Sequence, residues 1–153
     1  AVERGAHALF FPHGIGHLLG LDVHDLENFG DRAAYPAGRA RSDQFGLSYL
    51  RLDLTLTPNM AVTIEPGLYI APAILKHKAL VDPLRDLLNL EQIESWVGFG
   101  GIRIEDDVRI TEGEPEVLSE SIAKDPSIIE SLVGGFRQRQ PKHRLSIHEA
   151  GPA

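Results

Sequence analysis

The chain has 153 residues and no cysteine, which leaves room for one domain with its own core and excludes disulfides, thiolate nucleophiles and Cys-based zinc sites. A formal charge of −7 argues against nucleic acid as a partner, because such binding asks for a basic face. The apolar runs fall short of a membrane span and no secretory signal opens the chain, so the expected location is cytoplasmic, with no membrane partner. It starts at Ala1, directly before sequence that already reads as structured, as a processed form or the rear part of a longer protein would.

Ala8–Phe11 is apolar and stops at Pro12, the pattern of a short strand. The next segment, PHGIGHLLGLDVHD, places His13, His17 and His24 among Gly14, Gly16 and Gly20. Each glycine costs a helix about 1 kcal/mol, so a long helix is not expected there. Glu27–Gln44 is polar and rich in Gly, Pro, Arg and Asp, a surface loop, and the alternating Leu47–Leu56 reads as extended. Met60–Glu65 is a β-branched strand closed by Pro66-Gly67, and Leu68–Ile70 continues as the next strand segment. From Asp82 to Trp96 the pattern turns helical: Asp82 caps, Pro83 takes the first turn, Leu84, Leu87 and Leu88 share a face, and Asn89 offers a second cap to Gln92. Gly100-Gly101 leads into the clearest strand, Ile102–Thr111. Ser127–Leu132 is a short closing helix, and residues 136–153 form a polar tail expected to be disordered.

Three histidines in a glycine-rich segment suggest a site, since imidazole is both the commonest metal ligand and the side chain that titrates near neutrality. The spacing of His13 and His17 invites comparison with zinc proteases. Those need a glutamate directly after the first histidine, where Gly14 stands, so that reading is rejected. Strand alternation puts Thr63 and Glu65 on one face and Val62 and Ile64 on the other; likewise Arg103 and Glu105 oppose Ile102 and Ile104. Two glutamates delivered by strands, with one imidazole, form a mixed oxygen–nitrogen set suited to a hard or borderline divalent metal. Taken singly, Glu65 could equally be a solvent-facing strand end and Glu105 an exposed hairpin edge. His7, His77, His143 and His148 sit in ordinary polar contexts.

The segments PHGIGHLLGLDVHD, VTIEPGLYI and GGIRIEDDVRIT resemble, in order and wording, three C-terminal motifs of the pita-bread (M24-type) metallopeptidases, in the branch of prolidases and aminopeptidases P. The resemblance runs from about Phe10 to Leu132 and implies an α+β fold: the C-terminal portion of the pita-bread, an antiparallel curved sheet with flanking helices, over residues 1–135. It implies hydrolysis of the Xaa-Pro peptide bond with two divalent metal ions, Mn2+ foremost, with Co2+ or Zn2+ as alternatives. His17 matches a metal ligand, Glu65 a ligand and general base, and Glu105 the ligand shared by both metals. His13 and His24 match histidines that contact the substrate, and Arg103 an arginine beside the shared ligand. Arg51 matches the prolidase arginine that pairs with the substrate's free carboxylate. The partners implied are a proline-containing dipeptide or short peptide, the remainder of the catalytic domain, and a second copy in a homodimer.

One departure stands out. The family's site has five protein ligands, the first two of them aspartates upstream of the histidine motif, and no aspartate precedes Asp22 here. The chain is therefore expected to be inactive alone. Two rival readings are a non-catalytic pita-bread binding module and a truncated gene product without activity.

Overall fold

The computed structural model describes residues 1–25, 29, 30 and 32–139, the last five by backbone alone. Residues 27, 28 and 31 of the expected loop, and residues 140–153 of the expected tail, lie outside the described residues. The chain divides into two units, Ala1–Glu120 and Ser121–Ala153.

The first unit is built on two antiparallel strand pairs. Strand β1 (Ala61–Ile64) pairs with β4 (Asp106–Arg109), and β2 (Gly67–Tyr69) pairs with β3 (Gly101–Arg103). A short β5 (Glu116–Val117) adds to the far side of β4. Both ladders keep one register, from Ala61 opposite Arg109 to Tyr69 opposite Gly101, so they form one long hairpin interrupted at its centre. The register brings Glu65 opposite Glu105 at the interruption. Pro66 explains the break: it has no N–H to give the ladder, and only its carbonyl is used, by Ile104 N at 3.2 Å. The single strand expected over Ile102–Thr111 is thereby split into β3 and β4.

The histidine segment lies along the free side of β1. Leu19 N donates to Ala61 O, Thr63 N to His17 O and Glu65 N to Ile15 O, at 2.7–2.9 Å. Gly16 permits this approach, because a Cβ there would stand 1.9 Å from the Thr63 carbonyl oxygen. Gly16→Ala is accordingly expected to cost about 2–3 kcal/mol in denaturant unfolding, as the pairing is pushed apart to relieve the overlap.

Two small cores hold these pieces. Leu18, Ala34, Val62 and Val108 form one, with Leu52, Leu54, Met60 and Ile110 against it. Ala6, Leu9, Val81 and Leu84 form the other, joined by Phe10, Ile74, Leu80 and Leu88. Leu84 and Leu88 thus serve as expected, while Leu87 stays exposed. The helical stretch is broken into short pieces: α1 (Pro72–Leu75), α2 (Lys78–Val81), a 3-10 turn at Asp82–Leu87, and α3 (Leu90–Ser95). Asn89 caps α3 as the sequence suggests, its Oδ1 accepting from Gln92 N at 3.1 Å.

Two strand expectations are corrected. Ala6–Leu9 is a 3-10 turn, with only Phe10 O reaching the sheet, as acceptor for Tyr69 N. Leu47–Leu56 contains no strand. Its alternating leucines line a loop whose backbone is tied by Asp53 N to Ala34 O rather than by a neighbouring strand.

In the second unit, α4 spans Pro126–Arg139, longer than the expected Ser127–Leu132. Asp125 Oδ1 caps it by accepting from Ser127 N and Ile128 N, and these bonds with the Ser127 hydroxyl hold the Asp125 carboxyl below its usual range. Gly134 and Gly135 do not end the helix. Glycine weakens helix propagation without removing a backbone donor, unlike proline.

Candidate metal centre

All seven residues singled out by sequence, His13, His17, His24, Arg51, Glu65, Arg103 and Glu105, line a single cavity of about 370 Å3. The hairpin brings the carboxylates there. At the interruption Glu65 and Glu105 fall on a non-hydrogen-bonded pair position, where side chains of opposite strands lie nearest each other. Arg103, two residues before Glu105, shares their face and spans both: Nη1 is 3.0 Å from Glu65 Oε2 and Nη2 is 3.4 Å from Glu105 Oε2.

His17 is held at both its backbone and its ring. Its backbone N donates to Thr63 Oγ1 at 3.0 Å, and that hydroxyl donates onward to Glu65 Oε1 at 3.0 Å. His17 Nδ1 lies 3.1 Å from Leu18 O. A carbonyl can only accept, so Nδ1 donates there, and Nε2 is turned to Glu65 Oε1 across 3.3 Å. Both side chains are buried.

This arrangement fits a divalent cation. An imidazole nitrogen and a carboxylate oxygen held 3.3 Å apart in a buried place match the spacing of two ligands of one ion, about 3 Å at ordinary bond lengths of about 2.1 Å. Ligand atoms of His17, Glu65 and Glu105 all lie within 4.8 Å of one another. The Nδ1 bond to Leu18 O is the outer contact that orients a metal-ligating imidazole.

The other two histidines differ in surroundings. His24 packs edge-on to His17 with ring centroids 4.5 Å apart. Its pKa lies below 6.5, pushed down by partial burial first and then by Arg51 and His17, with Glu65 and Glu105 opposing. It is therefore a neutral donor–acceptor at pH 7. His13 has Nδ1 against Gly14 O at 2.7 Å and Nε2 against the Tyr69 hydroxyl at 3.0 Å, with Phe11 edge-on to its ring.

Three residues gain no role from the sequence. Strand alternation puts Thr63 on the Glu65 face without giving it a role, and Tyr69, four after Glu65, falls on the same face, so strand periodicity could have found it. Tyr49 lines the cavity from a loop and gave no periodic signal.

Comparison with known proteins gives concordant results. The model of metallopeptidase family M24 matches residues 1–112. The human Xaa-Pro dipeptidase is 42% identical over 135 residues, covering 88% of this chain and 26% of its own length. That of Stenotrophomonas maltophilia is 43% identical over 127 residues, covering 80% and 27%. Aminopeptidase P from E. coli with the inhibitor Pro-Leu superposes with a TM-score of 0.51 and 34% identity, over 90% of this chain and 23% of that one. The chain spans about a quarter of the length of these relatives. Its mixed helices and antiparallel pairs correspond to the C-terminal part of their pita-bread fold.

Proposed function

The chain belongs to metallopeptidase family M24, and from that premise we propose that it supplies the histidine and glutamate half of a site that hydrolyses the peptide bond before proline. The observation that carries this reading is the convergence of His17, Glu65 and Glu105 in one cavity with His13, His24 and Arg51. Two aspartates from the upstream part of the catalytic domain complete the ligand set. The reading has a physical corollary on the opposite sheet face, where Ile64, Leu68, Ile102 and Ile104 form an exposed apolar stripe that further chain would cover.

Divalent cations held by His17, Glu65 and Glu105, Mn2+ foremost, would polarise the scissile carbonyl and acidify a water. The chain's own residues do the rest. Glu65 accepts the proton of the attacking water and returns it to the proline nitrogen as the C–N bond breaks, and Arg103 together with Thr63 keeps its oxygens aimed. His24, neutral at pH 7, donates a hydrogen bond to the carbonyl oxygen as charge develops on it. His13 contacts the substrate after exchanging its Tyr69 partner. Arg51 pairs with the carboxylate that follows proline, which favours a dipeptide over a longer peptide. The whole protein is proposed to be a homodimer.

The test is hydrolysis of Ala-Pro with added Mn2+. Residues 1–153 alone are expected to show no turnover, and a protein carrying them together with the upstream part of the domain is expected to cleave. A complete domain that binds Ala-Pro without cleaving it would show a binding module instead.

A further inference from the structure

The cavity wall that carries Tyr49 and Arg51 is a loop without strand partners, yet it must hold a cation at a fixed place opposite the carboxylates. Arg41, outside the cavity, attaches it together with Tyr35. Arg41 Nη1 reaches Ser48 O and Leu50 O, both at 3.2 Å, so a single guanidinium grips the carbonyls on either side of Tyr49. The same nitrogen lies 3.1 Å from the Tyr35 hydroxyl, which itself donates to Leu50 O at 2.7 Å. The guanidinium carbon also sits over both rings, 5.1 Å from the centre of Tyr35 and 5.9 Å from that of Tyr49. Tyr35 is buried and follows Ala34, which packs against Val62 of β1. A continuous mechanical link therefore runs from the strand that bears Glu65, through Tyr35 and Arg41, to the loop that bears Arg51.

We propose that Arg41 is a positioning residue that holds the Tyr49–Arg51 segment at a fixed distance from the metal ligands, and so sets the preference for substrates with a free carboxylate after proline. This rests on the proposed role of Arg51. Arg41 acts through the backbone of Ser48–Leu50 and does not touch substrate. Its rigid guanidinium reaches the Tyr35, Ser48 and Leu50 oxygens through Nη1 while its face lies over the Tyr35 and Tyr49 rings; lysine offers a point charge without that stacking surface.

The experiment compares wild type, Arg41→Ala, Arg41→Lys and Tyr35→Phe in a protein carrying the complete domain, using Ala-Pro and Ala-Pro-amide. Arg41→Ala should raise KM for Ala-Pro about tenfold while kcat stays within about twofold and the amide is unaffected, so the preference collapses. Arg41→Lys and Tyr35→Phe should fall between. Hydrogen exchange read by mass spectrometry should quicken in a peptide covering residues 47–52 and stay unchanged in one covering 61–65. Equal losses on both substrates, an unchanged preference, or exchange that quickens uniformly would overturn the proposal. Should wild type cleave neither substrate, the peptidase reading fails, and unchanged exchange at residues 47–52 in Arg41→Ala would separately overturn the role of Arg41.

Discussion

Glu65→Gln in the complete domain lowers kcat about a thousandfold or more, with the fold and thermal stability nearly retained. The size follows from how many tasks meet on one carboxylate. Oε1 accepts from the Thr63 hydroxyl and faces His17 Nε2, while Oε2 takes the Arg103 guanidinium. Glutamine keeps the volume but loses the charge and the site that receives a proton. It also brings an NH2 that must oppose one donor or another: toward Arg103 it meets guanidinium N–H groups, and toward Thr63 it displaces the hydroxyl bond. Stopped assays with Ala-Pro, together with melting curves, separate this chemical loss from unfolding. A variant retaining a tenth of wild-type kcat would remove Glu65 from the proton-transfer role.

Glu105→Gln is expected to lower kcat/KM by about a thousandfold through a different route, loss of cation affinity. Glu105 is more exposed than Glu65 and makes one ion pair, with Arg103 at 3.4 Å. Without its charge Arg103 is left to Glu65 alone, and the proposed cations lose an anionic ligand. Raising Mn2+ should therefore recover part of the activity of Glu105→Gln and none of that of Glu65→Gln. Glu116→Gln serves as the control: Glu116 pairs with Arg109 at 2.7 Å on the exposed edge, and such pairs contribute about 0–1 kcal/mol. Its activity should match wild type.

Much of the site was legible because its chemistry is concentrated in short segments. The β-branched run before Glu65 and the alternation around Ile102 and Ile104 set both strands and both glutamate faces. The break at Pro66 follows from the missing donor of proline. Its echo at Ile104–Glu105 does not, because that depends on which residues of a distant strand stand opposite, and register has no local signature. The leucine alternation of Leu47–Leu56 misled for a related reason: period-two burial arises wherever a loop lies over a core, and Leu52 and Leu54 pack there without any ladder. The first turn was misread similarly, since Ala8–Phe11 is apolar enough for a strand but too short to distinguish one from a buried 3-10 turn. Arg41 was invisible in sequence, standing ten residues from the arginine whose loop it fastens.

The most direct test of the account is titration calorimetry of Mn2+ into a metal-free protein carrying the complete domain, beside the His17→Ala variant. His17 is the nitrogen ligand of the proposed set, and its Nδ1 bond to Leu18 O already orients Nε2 toward Glu65. The account predicts two ions bound per wild-type chain, and in His17→Ala at least one site weakened by about a hundredfold or lost. Equal stoichiometry and equal affinity in the two proteins would contradict it.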